Sequence, residues 1–498
     1  MKSLVNRRFV VAVLAIACLT AVLLVVAPIR SGSPGPGEYD VWLDWNDDGK
    51  IDMKDVSRVA RAFGTNGTSS QNIMKASMQY DSGWVDLTST TSPNYTLTHN
   101  LNLSSADMVV DARQRTQDWN KTYRVTSNDW FSDLLETADG GYALAGSTWT
   151  NHPTYYDFLL VKTDADGTMQ WNKTYGGTGY QEAYALVQTV DGGYALAGYT
   201  DSFGAGGHDF WFVKTDASGN MQWNKTYGGT SHDEANALVQ TTDGGYALAG
   251  FTSSFGADNS DFWLVKTDAN GNMEWNQSYG GTNDDWAYAL VQTTDGGYAL
   301  AGWTYSDMTD FWLVKTDSAG NMQWNRIYGG GNGEEAYALV QTAEGGYALA
   351  GETYSTDSGE PDFWLVKTDA WGNAQWNKTY GGTGAEEARA LVQTTDGGYA
   401  LTGYSNSFTG NNDFYLVKTD VNGNVEWSKT NGLGDAYALV QTSDGGYAAL
   451  ASGGCCLLKI GVESGLAWTE PSYNSITLHR GETDIHWNYV RVCLWKPR

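Results

Sequence analysis

The chain has 498 residues, including 60 glycines, 22 tryptophans and 30 tyrosines but only 8 prolines, and its formal charge is −27. This length allows roughly two to four domains, and an aromatic content of 13% excludes a disordered acidic chain. The acidity argues against nucleic-acid binding, because phosphates require neutralisation by Lys and Arg. Four cysteines exclude a scaffold built on disulfides. The glycine and tryptophan content indicates short strands and tight turns.

Residues 1–30 are predicted to be a signal anchor or a signal peptide. Basic residues precede an apolar run from Phe9 to Ala27, whose length lies between that of a long signal region and that of a spanning helix. No small-residue cleavage site stands out, which favours an uncleaved anchor over a removed peptide. The basic start predicts that the chain beyond Arg30 is extracellular, either membrane-anchored or secreted. Residues 31–37 form a linker of Gly, Ser and Pro.

Eight sequons are compatible with export and N-glycosylation. Five of them recur because the internal repeat contains Trp-Asn-Lys-Thr or a close variant, so their number alone says little about occupancy. The acceptor residues are Asn66, Asn94, Asn102, Asn120, Asn172, Asn224, Asn276 and Asn377.

A calcium-binding loop is predicted from Asp44 onward, where the sequence reads DWNDDGKIDMKD. Its spacing matches an EF-hand loop, with side-chain oxygens at positions 1, 3, 5, 9 and 12, a backbone carbonyl at position 7, and Gly49 at the sharp turn. An ordinary acidic turn is the alternative. The predicted calcium ligands are Asp44, Asn46, Asp48, Lys50 (through its carbonyl), Asp52 and Asp55.

The wider segment DWNDDGKIDMKDVSRVARAFG resembles one repeat of a dockerin, and we assign it to residues 38–66. Dockerins pair two such repeats to bind cohesins on scaffolds that carry glycan-degrading enzymes. The resemblance implies calcium binding and raises the question of a cohesin-like partner. Because only one repeat is present, a calcium-stiffened spacer beside the membrane is the simpler expectation.

An internal repeat dominates the rest of the chain. The octet DGGYALAG, or a near copy, starts at seven positions spaced 48 to 52 residues apart. Each unit contains four segments of strand length, rich in Val, Leu, Tyr, Trp and Thr and bounded by Asp, Gly and Asn turns. This period with four strands per unit predicts a β-propeller. The octets begin at Asp139, Asp191, Asp243, Asp295, Glu344, Asp396 and Asp444.

The strand count predicts seven blades over residues 117–461, with eight blades as the less favoured alternative. Three of the strand types occur seven times, whereas the Trp-Asn-Lys-Thr-Tyr strand first occurs at Trp119, before the first octet. The seventh blade is therefore expected to take its fourth strand from Gln117–Tyr123, which closes the ring and removes free sheet edges.

The hairpin KTDASGNMQW resembles the tryptophan-docking motif of quinoprotein-type propellers and, more loosely, the Asp-box. This resemblance implies that the repeated tryptophans pack between blades and are structural; it carries no quinone-binding function. The tryptophans concerned are Trp171, Trp223, Trp275, Trp324, Trp376 and Trp427.

The segments that flank the repeats predict a split β-sandwich-like domain, made of residues 78–112 and 464–498, into which the propeller is inserted. Both segments show alternating strand character. The complete plan of anchor, single dockerin-like repeat, split domain and propeller resembles archaeal-type secreted or surface repeat proteins. This resemblance implies surface display or adhesion.

One acidic position recurs in the connections between blades and predicts a ring at the channel mouth. Several carboxylates there would repel one another unless they are solvated or bridged by cations, so a cation or ligand ring is one interpretation. The other is that each carboxylate caps its own turn. The ring residues are Asp129, Glu182, Glu234, Asp285, Glu335, Glu387 and Asp435.

The loops between the second and third strands vary most between units, and variable loops on a rigid scaffold commonly carry recognition. They offer aromatic side chains among Asp, Asn, Ser and Gly, which suits sugar rings or protein partners. Anchoring of the loops themselves is the alternative. The aromatic residues are Trp149, Tyr155, Tyr156, Phe203, Phe255, Trp303, Tyr305, Tyr354 and Phe408.

Together these observations predict an all-β, non-enzymatic, calcium-binding surface or secreted protein whose propeller binds extracellular glycans or surface proteins. A component of polysaccharide degradation is the enzymatic alternative, suggested by the dockerin-like repeat. A passive surface-layer protein is the second alternative. Cys455 and Cys456 are expected to be buried thiols, with a vicinal disulfide or a bond to Cys493 as alternatives.

Overall fold

The computed structural model describes the chain in two units, residues 1–117 with 461–498, and residues 118–460. The predicted anchor, linker and dockerin-like calcium loop lie outside the described residues, as do Asn66, Asn102 and Cys455. The described residues are 76–81, 85–86, 94–98, 109–115, 118–126, 128–150, 155–257, 259–330, 332–354, 359–451, 456–461, 463–465, 475–479 and 489–497.

The second unit is a seven-bladed β-propeller of four-stranded antiparallel sheets, as predicted. The first strands of successive blades contact one another around the ring, so we call them inner strands. They are Trp130–Glu136, Gln181–Gln188, Asp233–Gln240, Asp285–Gln292, Glu334–Gln341, Glu386–Gln393 and Ala438–Gln441.

The second strands carry the Tyr-Ala-Leu-Ala-Gly sequence and are almost entirely buried. They are Tyr142–Trp149, Tyr194–Thr200, Tyr246–Thr252, Tyr298–Tyr305, Tyr347–Thr353, Tyr399–Ser405 and Tyr447–Ala451. The third strands are equally apolar, as is typical of strands with both faces covered. They are Tyr156–Thr163, Asp209–Thr215, Asp261–Thr267, Thr309–Thr316, Asp362–Thr368, Asp413–Thr419 and Cys456–Ile460.

The outer strands alternate exposed and half-buried side chains, because only one of their faces is covered. Six of them follow the third strand of their own blade. The seventh, Trp119–Thr122, comes from the start of the propeller and pairs with Cys456–Ile460, as the repeat count predicts. The other six are Met169–Tyr175, Met221–Tyr227, Met273–Tyr279, Met322–Tyr328, Ala374–Tyr380 and Val425–Asn431.

The core lies between adjacent blades. One cluster combines Ala195, Ala197 and Phe212 of blade 2 with Tyr246 and Leu248 of blade 3. The ring centroids of Phe212 and Tyr246 are 4.9 Å apart. Six of the seven inner strands are also interrupted by a β-bulge, such as that between Ala183 and Ala185, whereas Ala438–Gln441 pairs without one. A bulge increases the local twist and re-aims the side chains before it.

In the first unit, the structure describes seven strands. Each described pairing joins a strand that precedes the propeller to one that follows it, with Tyr489–Pro497 between Ala76–Asp81 and Val109–Arg115. Val85–Asp86 also pairs with Tyr489–Pro497, Glu463–Gly465 with Val109–Arg115, and Asn94–Thr98 with Ser475–His479. The sandwich-like domain itself stays a prediction.

Candidate functional site

The variable loops and the blade-to-blade connections meet on one face of the propeller, which we call the loop face. The Asp201 N–H donates to the Tyr180 carbonyl (3.0 Å), and the Asp233 N–H donates to the His208 carbonyl (2.7 Å). The opposite face carries the repeated DGG turns and the hairpins between third and outer strands, where Lys214 bonds Asp191. Variation between blades is therefore concentrated on one side of a repeated scaffold.

The acids of the predicted ring occupy two different strand positions. The first inner-strand residue is buried and caps its own turn, as Asp233 does by accepting from the Gly229 N–H (2.8 Å). Asp285 holds this position opposite Thr304, and Asp129, directly before the inner strand of blade 1, holds the equivalent position and accepts from the Thr148 hydroxyl. Successive side chains of a strand point to opposite faces, so these two residues do not share the orientation of the other five.

The other five predicted acids follow at the next position, so their side chains point to the opposite face of the strand. Glu182 accepts from the Tyr184 hydroxyl (2.9 Å), and Glu335 accepts in the same way from Tyr337 (2.8 Å). In blades 1 and 4, Trp130 and Trp286 take this position. The remaining acids of this set are Glu234, Glu387 and Asp435.

Aromatic rings form a stack across the junction of blades 3 and 4. The rings of Phe251 and Trp286 lie parallel with centroids 4.3 Å apart. Trp303, which is directly opposite Trp286 across the strand pair, lies 5.5 Å from it. Trp286 and Trp303 are half-buried, so part of this aromatic surface faces solvent. We call these three residues the aromatic stack.

Three carboxylates meet across the junction of blades 5 and 6. Glu335 and Glu352 are direct cross-strand partners in blade 5, and Glu387 belongs to the inner strand of blade 6. Arg389 is the positive charge that accompanies them: its Nη2 lies 2.6 Å from Glu387 Oε1. Its guanidinium also lies over the ring of Tyr337, 4.6 Å from the centroid. We call Glu335, Glu352, Glu387 and Arg389 the acid cluster.

Glu352 is the most perturbed member of the acid cluster. Its side chain is only 8% exposed. Among the residues that the structure describes, no hydrogen bond or ion pair reaches it. Burial, followed by the negative charges of Glu387 and Glu335, raises the pKa of Glu352 to about 8, against the opposing effect of Arg389. Burial also raises the pKa of Glu387, although Arg389 counteracts it. Glu352 is therefore a carboxylic acid near neutral pH.

A histidine of blade 2 pairs with a glutamate of blade 3 at the junction of these two blades. His208 Nδ1 lies 2.7 Å from Glu234 Oε1, and its ring stacks on Tyr199 with centroids 4.0 Å apart. Burial lowers the pKa of His208, but the hydrogen bond and charge of Glu234 outweigh it, so the pKa lies above its usual range. This histidine–glutamate pair places a second titrating group on the loop face.

Pairs of acidic side chains lie near the loop face at four blade junctions. A Cβ on Gly381 would be 1.9 Å from Asp362 Oδ1 and 2.3 Å from Glu386 Oε2, so the two oxygens are close neighbours. Burial and the contact with Glu386 raise the pKa of Asp362 to about 6. The four pairs are Asp209 with Asp233, Asp261 with Asp285, Asp310 with Glu334, and Asp362 with Glu386.

The loop aromatics have both structural and exposed parts. Phe203, Phe255 and Phe408 each contact a third-strand aromatic of their own blade, with centroids 5.3 to 5.8 Å apart, so they anchor their loops. Their outer edges, together with Tyr305 and Tyr354, are 41–54% exposed. An open groove of about 600 Å³ lies between the loop of blade 6 and the connection to blade 7, lined by Thr409, Asn411, Asn412, Asp413, Gly432, Leu433, Gly434 and Asp435.

The repeated outer-strand tryptophans pack against the tyrosine that begins the second strand of the next blade. Their ring centroids are 5.7–6.2 Å apart, mostly edge to face. Trp171, for example, contacts Tyr194. These contacts are those of structural residues between blades, which is the role the hairpin resemblance implies.

The structure also places several of the remaining predicted residues. Cys456 lies buried in the third strand of blade 7. Asn94 begins the strand Asn94–Thr98 of the first unit. Five sequon asparagines are exposed on outer strands, namely Asn120, Asn172, Asn224, Asn276 and Asn377.

Within the described part of the chain, no three His, Cys, Asp or Glu side chains are arranged to hold a metal ion. No helix in that part has the length and apolarity needed to cross a membrane.

The sequence analysis did not single out Glu352 or Arg389. Both depart from the repeat: Glu352 replaces Tyr199, Phe251 or Tyr404, and Arg389 replaces Tyr184, Tyr288, Tyr337 or Tyr437. Charged residues at positions that are aromatic in most other blades were the signal that could have identified them.

No known family model matches the sequence, and no curated protein matches it. The chain is similar in fold to the WD40 β-propeller domain of Doa1 (12% identity, 70% of this chain, 97% of that chain, TM-score 0.46). The WD40 domain of Neurospora crassa Pan2 is 11% identical, over 75% of this chain and 98% of that chain, with a TM-score of 0.48. Sqt1 from Chaetomium thermophilum is 11% identical, over 70% of this chain and 100% of that chain, with a TM-score of 0.41. These similarities concern the fold alone.

Proposed function

We propose that the protein is a non-enzymatic binding scaffold whose loop face recognises an extracellular ligand, either a glycan or a surface protein. One observation carries this proposal: the side chains that differ between blades are concentrated on the loop face, around the channel mouth. The opposite face repeats the same turns seven times. A repeated scaffold with one varied face suits recognition better than a passive structural role.

The aromatic stack gives this proposal its sharpest test. We expect the full chain to bind saturably to members of an array that carries neutral and acidic glycans together with basic and acidic peptides. The double variant Trp286→Glu with Trp303→Tyr introduces residues that other blades carry at these positions, so it should fold. Its binding should fall at least tenfold if the rings contact the ligand.

Trp371 provides the matched control because it lies on the opposite face and is 68% exposed. Trp371→Asn introduces the residue found at the same turn position in Asn270 and Asn422, and its binding should equal that of the unchanged chain. Equal losses in both variants, or no binding to any array member, would contradict a recognition role for the loop face.

An enzymatic function in polysaccharide degradation is the second candidate, and the acid cluster favours it. A protonated Glu352 close to two further carboxylates has the composition of a general acid with a neighbouring base or nucleophile. If this is the function, the chain should release soluble sugars from a polysaccharide, and Glu352→Gln should abolish the release while thermal unfolding stays unchanged. Saturable binding without product release supports the scaffold instead.

We further propose that the segment from Asp44 to Asp55 binds calcium and that the chain is displayed outside the cell. The ligand spacing supports the first point, and the apolar start of the sequence supports the second. Calorimetric titration of calcium should lose its signal in the double variant Asp44→Ala with Asp55→Ala. Mass spectrometry of the mature N-terminus should find residues 1–30 retained if the protein is anchored. A cohesin-like partner would require binding through a single dockerin-like repeat.

A further inference from the structure

Glu352 occupies an unusual place for an acid. It is more than nine-tenths buried and faces two other carboxylates. In five of the other blades the corresponding second-strand residue is uncharged: Ser147, Tyr199, Phe251, Trp303 and Tyr404. Burial of a carboxyl group without a partner is unfavourable, so an ordinary packing role would be served better by the aromatic residue of the neighbouring blades.

The groups around Glu352 come from three strands. Glu335 and Tyr337 face it from the inner strand of blade 5, and Glu387 with Arg389 from the inner strand of blade 6. Tyr404 and Tyr354 complete the surroundings. Burial, then the charges of Glu387 and Glu352, raises the pKa of the Tyr404 hydroxyl, and burial followed by the charge of Glu352 raises the pKa of Tyr354. Three carboxylates thus accompany one guanidinium, and the site has a deficit of positive charge.

The shape of the site favours an organic cation over a metal ion. Within the described residues, no three acidic or histidine side chains converge at metal-binding geometry. Aromatic rings border the carboxylates, and one internal cation already uses them: Arg389 lies 4.6 Å from the Tyr337 centroid and 5.9 Å from that of Tyr437. Carboxylates combined with aromatic faces are the usual surroundings of bound ammonium groups.

We infer that the acid cluster is a binding site for an ammonium group, presented by a lysine side chain of a basic partner protein. The bound ammonium would pair with Glu352 and Glu335 and lie against the aromatic ring of Tyr404, since Arg389 already lies over that of Tyr337. Binding moves one proton: Glu352 enters the complex as carboxylate and releases its proton to the solvent. The net charge of −27 adds long-range attraction for a basic partner. This inference rests on the proposed function, because it names the ligand class of the loop face.

The test uses the full chain and capped lysine (N-acetyl-lysine methylamide) as the probe, with capped norleucine as its uncharged analogue. Isothermal titration at pH 7 in two buffers of different ionisation enthalpy should show capped lysine binding with release of roughly one proton, because a group with a pKa near 8 is mostly protonated at pH 7. Affinity should rise from pH 6 to pH 9. Capped norleucine should bind at least tenfold more weakly.

Two variants separate the site from its surroundings. Glu352→Gln should lose at least tenfold in affinity and all of the buffer-dependent proton release. Glu274→Gln, on an outer strand away from the loop face, should change neither. Equal binding of lysine and norleucine, unchanged binding in the Glu352 variant, or absence of proton release would each overturn the inference.

Calcium titration distinguishes an inorganic cation. If calcium alone competes with capped lysine and Glu352→Gln removes this competition, the site is a metal site and the ammonium assignment is wrong. The array experiment with the Trp286 and Trp303 variants stays independent of this outcome. Failure of the lysine probe together with ligand binding in that array would reject the ammonium site and retain the binding scaffold.

Discussion

At the scale of single residues, the repeat is preserved where backbones approach each other. A Cβ on Gly198 would lie 1.8 Å from the Glu182 carbonyl oxygen, next to the bulge of the inner strand. Glycine is therefore required at the end of Tyr-Ala-Leu-Ala-Gly. Gly219 meets a different need: its φ is +73°, and a Cβ there would lie 2.7 Å from the Trp171 ring of the preceding blade.

Gly219→Ala should destabilise the propeller by about 2–4 kcal/mol, because a left-handed backbone conformation and an overpacked contact add together. Gly345 is the matched control, since its φ is +85° and nothing lies within 4 Å of an added Cβ. Gly345→Ala should cost only about 1 kcal/mol. Chemical denaturation measures both values, and equal losses would show that the Trp171 contact is relieved without cost.

At the scale of strands and blades, the junctions combine apolar packing with polar pairs. The Tyr175 hydroxyl donates to the Gly219 carbonyl of the next blade (2.6 Å), beside the contact of Trp171 with Tyr194. The acid pairs lie at the loop-face end of the same junctions. At the first junction Gln181 stands where the others carry an acid, so an amide already replaces the carboxyl group in one blade.

Asp362→Asn should make the propeller more stable above pH 7, by about 1–2 kcal/mol, and reduce its pH dependence, because it removes one of two adjacent carboxyl groups. The folded-state pKa of Asp362 is raised to about 6 from 3.8. Its ionisation therefore destabilises the native state above pH 6, and this cost disappears as the pH falls toward 4. Thermal unfolding between pH 4 and 8 measures the effect. Lower stability of the variant at pH 8 would show that the ionised pair is held by other groups.

A second set of pairs responds to acid in the opposite direction. Lys214 is 3% exposed and its ammonium group lies 2.8 Å from Asp191 of the DGG turn. Burial opposes ionisation of Asp191, but hydrogen bonds from Lys214 and Thr189 lower its pKa to about 2. This stabilisation is complete above pH 4 and is lost as the pH falls toward 2. We expect unfolding temperatures to decrease over that range, and to decrease less in Asp191→Asn. An equal decrease in that variant would exclude the pair as a cause.

The sequence predicts the architecture well because each repeat contains the residues that determine its own strands and turns. Turn residues, strand lengths and the surplus strand at Trp119 together define seven blades and their closure. The candidate site is less predictable, since Asp129 and Asp285 differ from Glu182 by one position, and one position reverses the direction of a strand side chain. The proximity of Glu352 to Glu387 depends on packing between blades, which no pattern within a single repeat encodes.

At the scale of the whole molecule, the closing strand joins the first and last parts of the propeller. Leu457 pairs with Lys121, so Trp119–Thr122 covers the edge of the seventh sheet. Residues 118–461 contain every strand of the ring, whereas 124–461 lack the closing strand. We expect the shorter chain to unfold at a lower temperature and to self-associate in analytical ultracentrifugation, because its exposed edge can pair with another chain. Equal stability and a monomeric state would mean that three strands suffice for the seventh blade.

The same closure determines how the ring responds to mechanical load. The chain enters at Trp119 and leaves near Lys459, and these two residues face each other in the last of the four residue pairs. Tension between these points loads the pairs one after another from that end, as in unzipping, and does not load them together in shear. The seam of the seventh blade is therefore the mechanically weakest part of the ring. The other six sheets lie outside the path of the force until the seam has separated.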